Sequence, residues 1–133
     1  MTRGLRGWRV AAVAWATAVV ISGVVPTRGA VHAVAQGRDG PLTSAGHFAA
    51  YTILAFLLAV ALDDWRLSRR AVVGAAALAV SLGAAIELVQ APLPYRDCQL
   101  GDALVNAAGA ALGLAVFSVA ARARGRRPRA RRG

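Results

Sequence analysis

The chain has one cysteine, Cys98, two histidines and no lysine at all. A single cysteine excludes an intramolecular disulfide, and so few cysteines and histidines supply no metal-binding framework. No internal repeat and no glycine-rich phosphate loop is present, and no cofactor is expected. Charge is scarce and one-sided: charged residues make up 17%, against roughly 25% in an ordinary soluble domain. Six acidic residues face sixteen basic ones, all arginine, for a formal net charge of +10. A soluble nucleic-acid binder spreads such charge along a patch or a helix face. Here it collects at the ends and in short gaps between apolar runs, which argues against nucleic acid as a partner.

What the chain has in abundance is apolar sequence, 57% of 133 residues. Four runs stand out, 10–25, 47–62, 71–91 and 102–121, each of 16 to 21 residues. About 20 helical residues cross a hydrocarbon core of about 30 Å. The first two runs are short for a perpendicular span unless their flanks snorkel or the bilayer thins. A soluble alternative needs four helices with no polar face, more buried surface than so small a chain can cover. The reading is therefore all-α: an integral membrane bundle of four transmembrane helices at about 8–25, 46–62, 71–91 and 102–121. They form one domain, 1–121, followed by a basic tail, 122–133, expected to be disordered.

Arginine placement gives the orientation. Arg3, Arg6 and Arg9 precede the first run, Arg66, Arg69 and Arg70 separate the second from the third, and seven more follow the fourth. The other two connections hold only Arg28, Arg38 and Arg96, a split of 13 against 3. The positive-inside rule then puts both termini in the cytoplasm of a multi-pass protein of the cell membrane. The tail is expected to rest on anionic lipid. The first run competes with a signal-peptide reading, cleaved near Val31-His32-Ala33, but Pro26, Thr27 and Arg28 intervene before any such site. It is read as a retained helix. His32 reads as a solvated loop residue, and Cys98 as a small residue rather than a nucleophile.

With this topology the polar residues gather on the outer face. His47 opens the second helix, with Tyr51 one turn below. The third helix ends with Gly83, Glu87 and Gln90 at helical spacing, and the loop after it carries Arg96. The fourth starts at Asp102, with Asn106, Gly109 and Gly113 at offsets of four, seven and eleven, and residues three and four apart share a helix face. At about 1.5 Å rise per residue, Tyr51, Glu87 and Asn106 lie roughly 6 Å below the helix ends. His47, Arg96 and Asp102 form a mouth above them, so the pattern describes a two-layer cleft. Polar groups at this depth are costly and are functional candidates by default. Bland roles compete: Asp102 as a helix cap, Arg96 as a salt-bridge partner fastening the loop to Glu87 or Asp102, and Gly109 and Gly113 as a small-xxx-small packing pair.

Gly46-His47-Phe48-x-x-Tyr51-x-x-Leu54, then Glu87-x-x-Gln90, Arg96 and Asp102-x-x-x-Asn106-x-x-Gly109-x-x-x-Gly113, together resemble the VanZ-like family over about 42–114. The resemblance implies a small multi-helix membrane protein, related to one associated with resistance to the glycopeptide antibiotic teicoplanin. It implies His47, Tyr51, Glu87, Gln90, Arg96, Asp102 and Asn106 as the site positions. One departure stands out: where the family often has an Asp-Lys pair four and three residues before the histidine, this chain has Thr43 and Ser44.

Three functions fit these residues. The leading one is binding of a lipid headgroup or a lipid-linked envelope precursor in the outer-leaflet cleft, with a link to glycopeptide resistance. Arg96, His47 and two helix N-termini suit an anionic headgroup, and Gln90 and Asn106 suit amide or hydroxyl partners. The second is a membrane enzyme on a lipid-linked substrate, with Glu87 or Asp102 as acid or base, His47 as proton shuttle and Arg96 stabilising an oxyanion. No strong nucleophile accompanies a base and no metal set is evident, which counts against common hydrolytic chemistry. The third is a proton-coupled transporter or channel; the carboxylates of the series all sit near one surface, which disfavours it.

Overall fold

The structure is a computed structural model that describes residues 3–25, 41–90 and 100–126. These form four helices: α1, Arg3–Val24; α2, Pro41–Asp63; α3, Arg69–Gln90; and α4, Leu100–Gly125. Each carries a stretch long and apolar enough to cross a membrane: Gly4–Val24, Ser44–Asp63, Arg69–Gln90 and Gly101–Gly125. At about 1.5 Å per residue these are roughly 30 Å or more in length.

Successive helices run in opposite directions. Trp8, near the start of α1, meets Trp65, just past the end of α2. At the other end Gln90, the last residue of α3, bonds to Gly23 near the end of α1. Gly109 in the first half of α4 lies against Phe48 in the first half of α2, and Phe117 further along packs on Trp65. The described chain therefore begins and ends on one side of the bundle, the tryptophan end. The opposite, polar end carries Gly46, Gln90 and Asp102.

α2 is the hub: it packs against all three other helices and most extensively against α4. Leu54, Ala55, Ala59 and Val60 of α2 are fully buried. Its neighbours meet it with small residues at helical spacing. On α3 the buried stripe is Ala71, Ala75, Ala79, Gly83 and Ile86. On α4 it is Asn106, Gly109, Ala110, Gly113, Phe117 and Ala121. Lipid tails are as apolar as leucine, so burial supplies no drive for helices to associate in a bilayer; close van der Waals contact does, and small residues permit it. Leu78, Val80, Leu88, Leu104 and Val119 point outward instead.

Ser68 starts α3 cleanly, its Oγ accepting from the Ala71 N–H at 3.1 Å, the usual N-cap role. Before it, Asp64 and Trp65 both adopt positive φ, 45° and 66°. That region is unfavourable for a bulky side chain. Trp65 is held by its neighbours: Trp8 and Phe56 approach it edge-on at 5.4 and 5.6 Å between centroids, and Phe117 stacks on it at 6.4 Å.

The helices run past the ends expected from hydropathy. α1 begins at Arg3, α2 at Pro41, and α4 spans Leu100–Gly125 rather than 102–121. Apolar runs mark only the part of a helix that avoids water, and arginine is a good helix former. Proline suits the first helical position, where no N–H partner is required. Segment 122–125, expected to belong to a disordered tail, instead continues α4: Arg122 and Arg124 occupy its last turn, where cations favour the exposed carbonyls. The guanidinium of Arg124 also lies 3.6 Å from the Trp65 ring centroid.

Candidate functional site

At the polar end the four helices leave a cavity of about 330 Å³. Its polar lining comes from His47 and Tyr51 of α2, Glu87 and Gln90 of α3, Asp102 and Asn106 of α4, and Ser22 of α1. Each pair follows from helical spacing: four residues separate His47 from Tyr51 and Asp102 from Asn106, and three separate Glu87 from Gln90. Tyr51 is 3% and Asn106 8% exposed, while His47, Glu87, Gln90 and Asp102 are half-buried nearer the mouth.

Tyr51 reaches its depth because α3 presents Gly83 there. A Cβ on Gly83 would lie 3.1 Å from the Tyr51 hydroxyl, so the glycine leaves the room that the phenol occupies. Asn106 differs from its neighbours: its Oδ1 is buried and accepts no hydrogen bond from the described residues. A buried carbonyl oxygen without a donor costs about 1–3 kcal/mol.

α2 and α4 both begin at this end, so their amide-rich, positive termini border the cavity. Asp102 does not cap α4, as its place at the start of the apolar run implies. The helix already starts at Leu100, and Asp102 lies within the first turn, where a carboxylate still favours the helix N-terminus. Ser44, one of the two residues that replace the family's Asp-Lys pair, lies in the opening turns of α2.

The fourth wall is α1, which sequence reasoning leaves out of the site. Val19, Ser22 and Gly23 line the cavity from α1. Two bonds fix α1 there: Gln90 Nε2 donates to the Gly23 carbonyl at 2.5 Å, and Trp15 Nε1 donates to the Ala50 carbonyl at 3.0 Å. Gly23 lets the helices close, since a Cβ there would sit 2.9 Å from Ile86 Cγ2. The sequence signals were a tryptophan inside an apolar run, whose indole N–H requires an acceptor when buried, and a Ser-Gly pair near its end. Gln90 is thus part structural: its amide spans to α1 as well as lining the cavity.

A second, smaller hollow of about 130 Å³ lies between α3 and α4. It shares Tyr51, Gly83, Glu87 and Asn106 with the larger one, and alanines supply most of the rest. Gly109 and Gly113 lie elsewhere, on the α2–α4 seam, against the backbone carbonyls of Phe48 and Thr52. Arg96, Cys98 and His32 fall outside the described residues. Among the described residues no three His, Cys, Asp or Glu side chains gather as a metal set.

Residues 8–121 match the family model VanZ/LLP1. The chain belongs to the VanZ/LLP1 family. No curated protein and no solved structure is significantly similar to it. Four helices able to span, in a VanZ-like protein, make this a multi-pass membrane protein. The VanZ/LLP1 match takes in every residue that lines the cavity, its α1 wall included.

Proposed function

We propose that this VanZ-like protein binds a membrane lipid by its headgroup in the polar cavity, facing the outer leaflet of the cell membrane. The observation that carries the reading is the convergence of seven polar side chains from all four helices on one 330 Å³ cavity in a largely apolar bundle. The arginine distribution supports the orientation, since 13 of 16 arginines fall in the N-terminal, α2–α3 and C-terminal segments, which the positive-inside rule assigns to the cytoplasm. The positive termini of α2 and α4 favour the anionic part of a headgroup. Glu87, Asp102 and Asn106 accept from its hydroxyl or amine groups, and Arg96 adds a phosphate contact from the loop. A lipid-linked envelope precursor offers the same chemistry, and holding one ties the protein to glycopeptides such as teicoplanin, which act at that surface. The basic residues past α4 rest on anionic lipid of the inner leaflet.

An enzymatic reading is favoured by one feature, the placement of His47, Glu87 and Asp102 around a single cavity. It assigns a carboxylate as acid or base on a bound lipid-linked substrate. A transport path is disfavoured, because beneath Tyr51 the bundle closes on Leu54, Ala59, Val60 and Phe117, each at zero exposure.

The test is extraction in native-lipid particles followed by identification of the retained lipid. Glu87→Gln and Arg96→Ala are each expected to lower its retention about ten-fold, equivalent to about 1.4 kcal/mol, with a parallel loss of any teicoplanin protection. Retention unchanged in both variants sinks the reading. Undiminished retention in Glu87→Gln, with a lipid product lost, selects the enzyme.

A further inference from the structure

The two hollows meet at one layer of the bundle. Tyr51, Gly83, Glu87 and Asn106 border both, so the polar cavity and the α3–α4 hollow are separated by a single tier of side chains. The smaller hollow has a buried floor, Ala79 and Ala110, and an exposed rim, Val80, Ala84, Ala103 and Ala107. It is therefore a groove open sideways, on the face of the bundle that also displays Leu88 and Leu104, 76% and 72% exposed. Ala107 lies seven residues into α4, roughly 10 Å from its start. In a spanning bundle that depth is hydrocarbon.

We infer that one lipid occupies both hollows, its headgroup in the polar cavity and the first stretch of its chain in the α3–α4 groove, entering sideways from the bilayer. This rests on the headgroup reading above and adds the route and the ligand class. Three observations point the same way. The groove is apolar and its rim is made of alanines, so the backbone walls stand apart where leucines would fill the gap. It opens to hydrocarbon rather than to water, which suits a chain and no part of a water-soluble ligand. At the junction of the two hollows sits Asn106, more than nine-tenths buried, with an Oδ1 that has no donor among the described residues. A buried acceptor of this kind is satisfied by a ligand donor. Its place beside the polar cavity selects a lipid whose headgroup carries a donor, a hydroxyl or an N–H group. A rotation of the carboxamide turns the oxygen toward either hollow.

The experiment places the full-length protein in vesicles doped with chain-diazirine analogues of phosphatidylglycerol, phosphatidylethanolamine or a polyprenyl phosphate. Photolysis and mass spectrometry then map the labelled residues. With the analogue that matches the retained headgroup, labelling concentrates at Val80, Ala84, Ala103 or Ala107. It falls about ten-fold, the effect of about 1.4 kcal/mol, in Ala107→Leu and in Ala84→Leu, which fill the groove from opposite walls. Both positions are exposed, and a melting temperature close to wild type confirms that each variant folds. Labelling spread evenly over the outward faces, or unmoved by both groove-filling variants, overturns the chain route. Under that result, lipid retention that still falls in Glu87→Gln leaves the headgroup reading standing. Retention indifferent to both Glu87→Gln and Arg96→Ala removes both.

Discussion

Gly109 of α4 lies so close to the Phe48 carbonyl of α2 that an added Cβ would overlap the oxygen. Gly113 stands in the same relation to Thr52 one turn on. The Phe48 carbonyl is further engaged by the Thr52 hydroxyl, which donates to it at 2.8 Å. The obstacle is backbone, not a flexible side chain, so an alanine at either position forces the two helices apart. Gly109→Ala and Gly113→Ala are each expected to destabilise by about 1–3 kcal/mol, the range for overpacking. Gly101→Ala and Gly125→Ala serve as controls, because nothing lies within 4 Å of a Cβ at either site. They are expected to be neutral or slightly stabilising, alanine being the better helix former. Thermal unfolding in detergent, followed by circular dichroism, checks all four; equal melting of Gly109→Ala and Gly101→Ala overturns the seam.

Asn106 carries an expectation of opposite sign for stability and for binding. Its Oδ1 is buried without a donor among the described residues, a standing cost that leucine, similar in size, does not have. Asn106→Leu is expected to hold or raise the melting point, by up to about 1–3 kcal/mol of relieved desolvation, while lipid retention falls. A purely structural asparagine predicts the reverse, lower stability with retention intact. Measuring both quantities on one preparation separates the two cases.

The polar stripes of α3 and α4 are legible in sequence because helical periodicity alone brings Glu87 with Gln90, and Asp102 with Asn106, onto single faces. The pairing of those faces with α2 is legible through His47 and Tyr51, four residues apart at the start of an apolar run. The helix ends are less so: hydropathy marks where a helix leaves water, whereas Arg3, Leu100 and Gly125 end helices by propensity and capping. The contribution of α1 is hidden, because it depends on tertiary bonds from Gln90 to Gly23 and from Trp15 to Ala50. No spacing rule within one segment announces a bond to another. The turn at Asp64 and Trp65 is hidden for a related reason: neither is glycine, yet both adopt positive φ, and Trp65 packs against rings from distant segments.

That ring cluster ties three segments of the tryptophan end together, and Arg124 covers it from α4. Trp65→Ala removes contacts to Trp8, Phe56 and Phe117 at once and is expected to cost about 3–5 kcal/mol. Arg124→Gln, which keeps most of the side chain but not its charge, is expected to cost about 0.5–1 kcal/mol, the range for an exposed cation–π contact. Arg124→Lys should retain part of it. Intrinsic tryptophan fluorescence during thermal or denaturant unfolding reads these changes directly. An Arg124→Gln variant as stable as wild type, with unchanged emission, rejects the contact as a contributor.

The side of the membrane on which the cavity opens decides which ligands can reach it. Orientation is accessible through two glycines with open surroundings, Gly101 at the polar end and Gly125 at the tryptophan end. Cys98 is the sole native cysteine, so Cys98→Ser provides a clean background. In intact cells a membrane-impermeant maleimide is expected to label Gly101→Cys and to spare Gly125→Cys, which reacts only after permeabilisation. The expectation follows from 13 arginines at one end against 3 at the other, because segments rich in arginine stay cytoplasmic. Labelling in the reverse order turns the cavity, with the N-termini of α2 and α4, toward the cytoplasm. An outer-leaflet headgroup and a glycopeptide link would both fall, while a lipid site in the inner leaflet would survive, since the groove between α3 and α4 opens to hydrocarbon in either orientation.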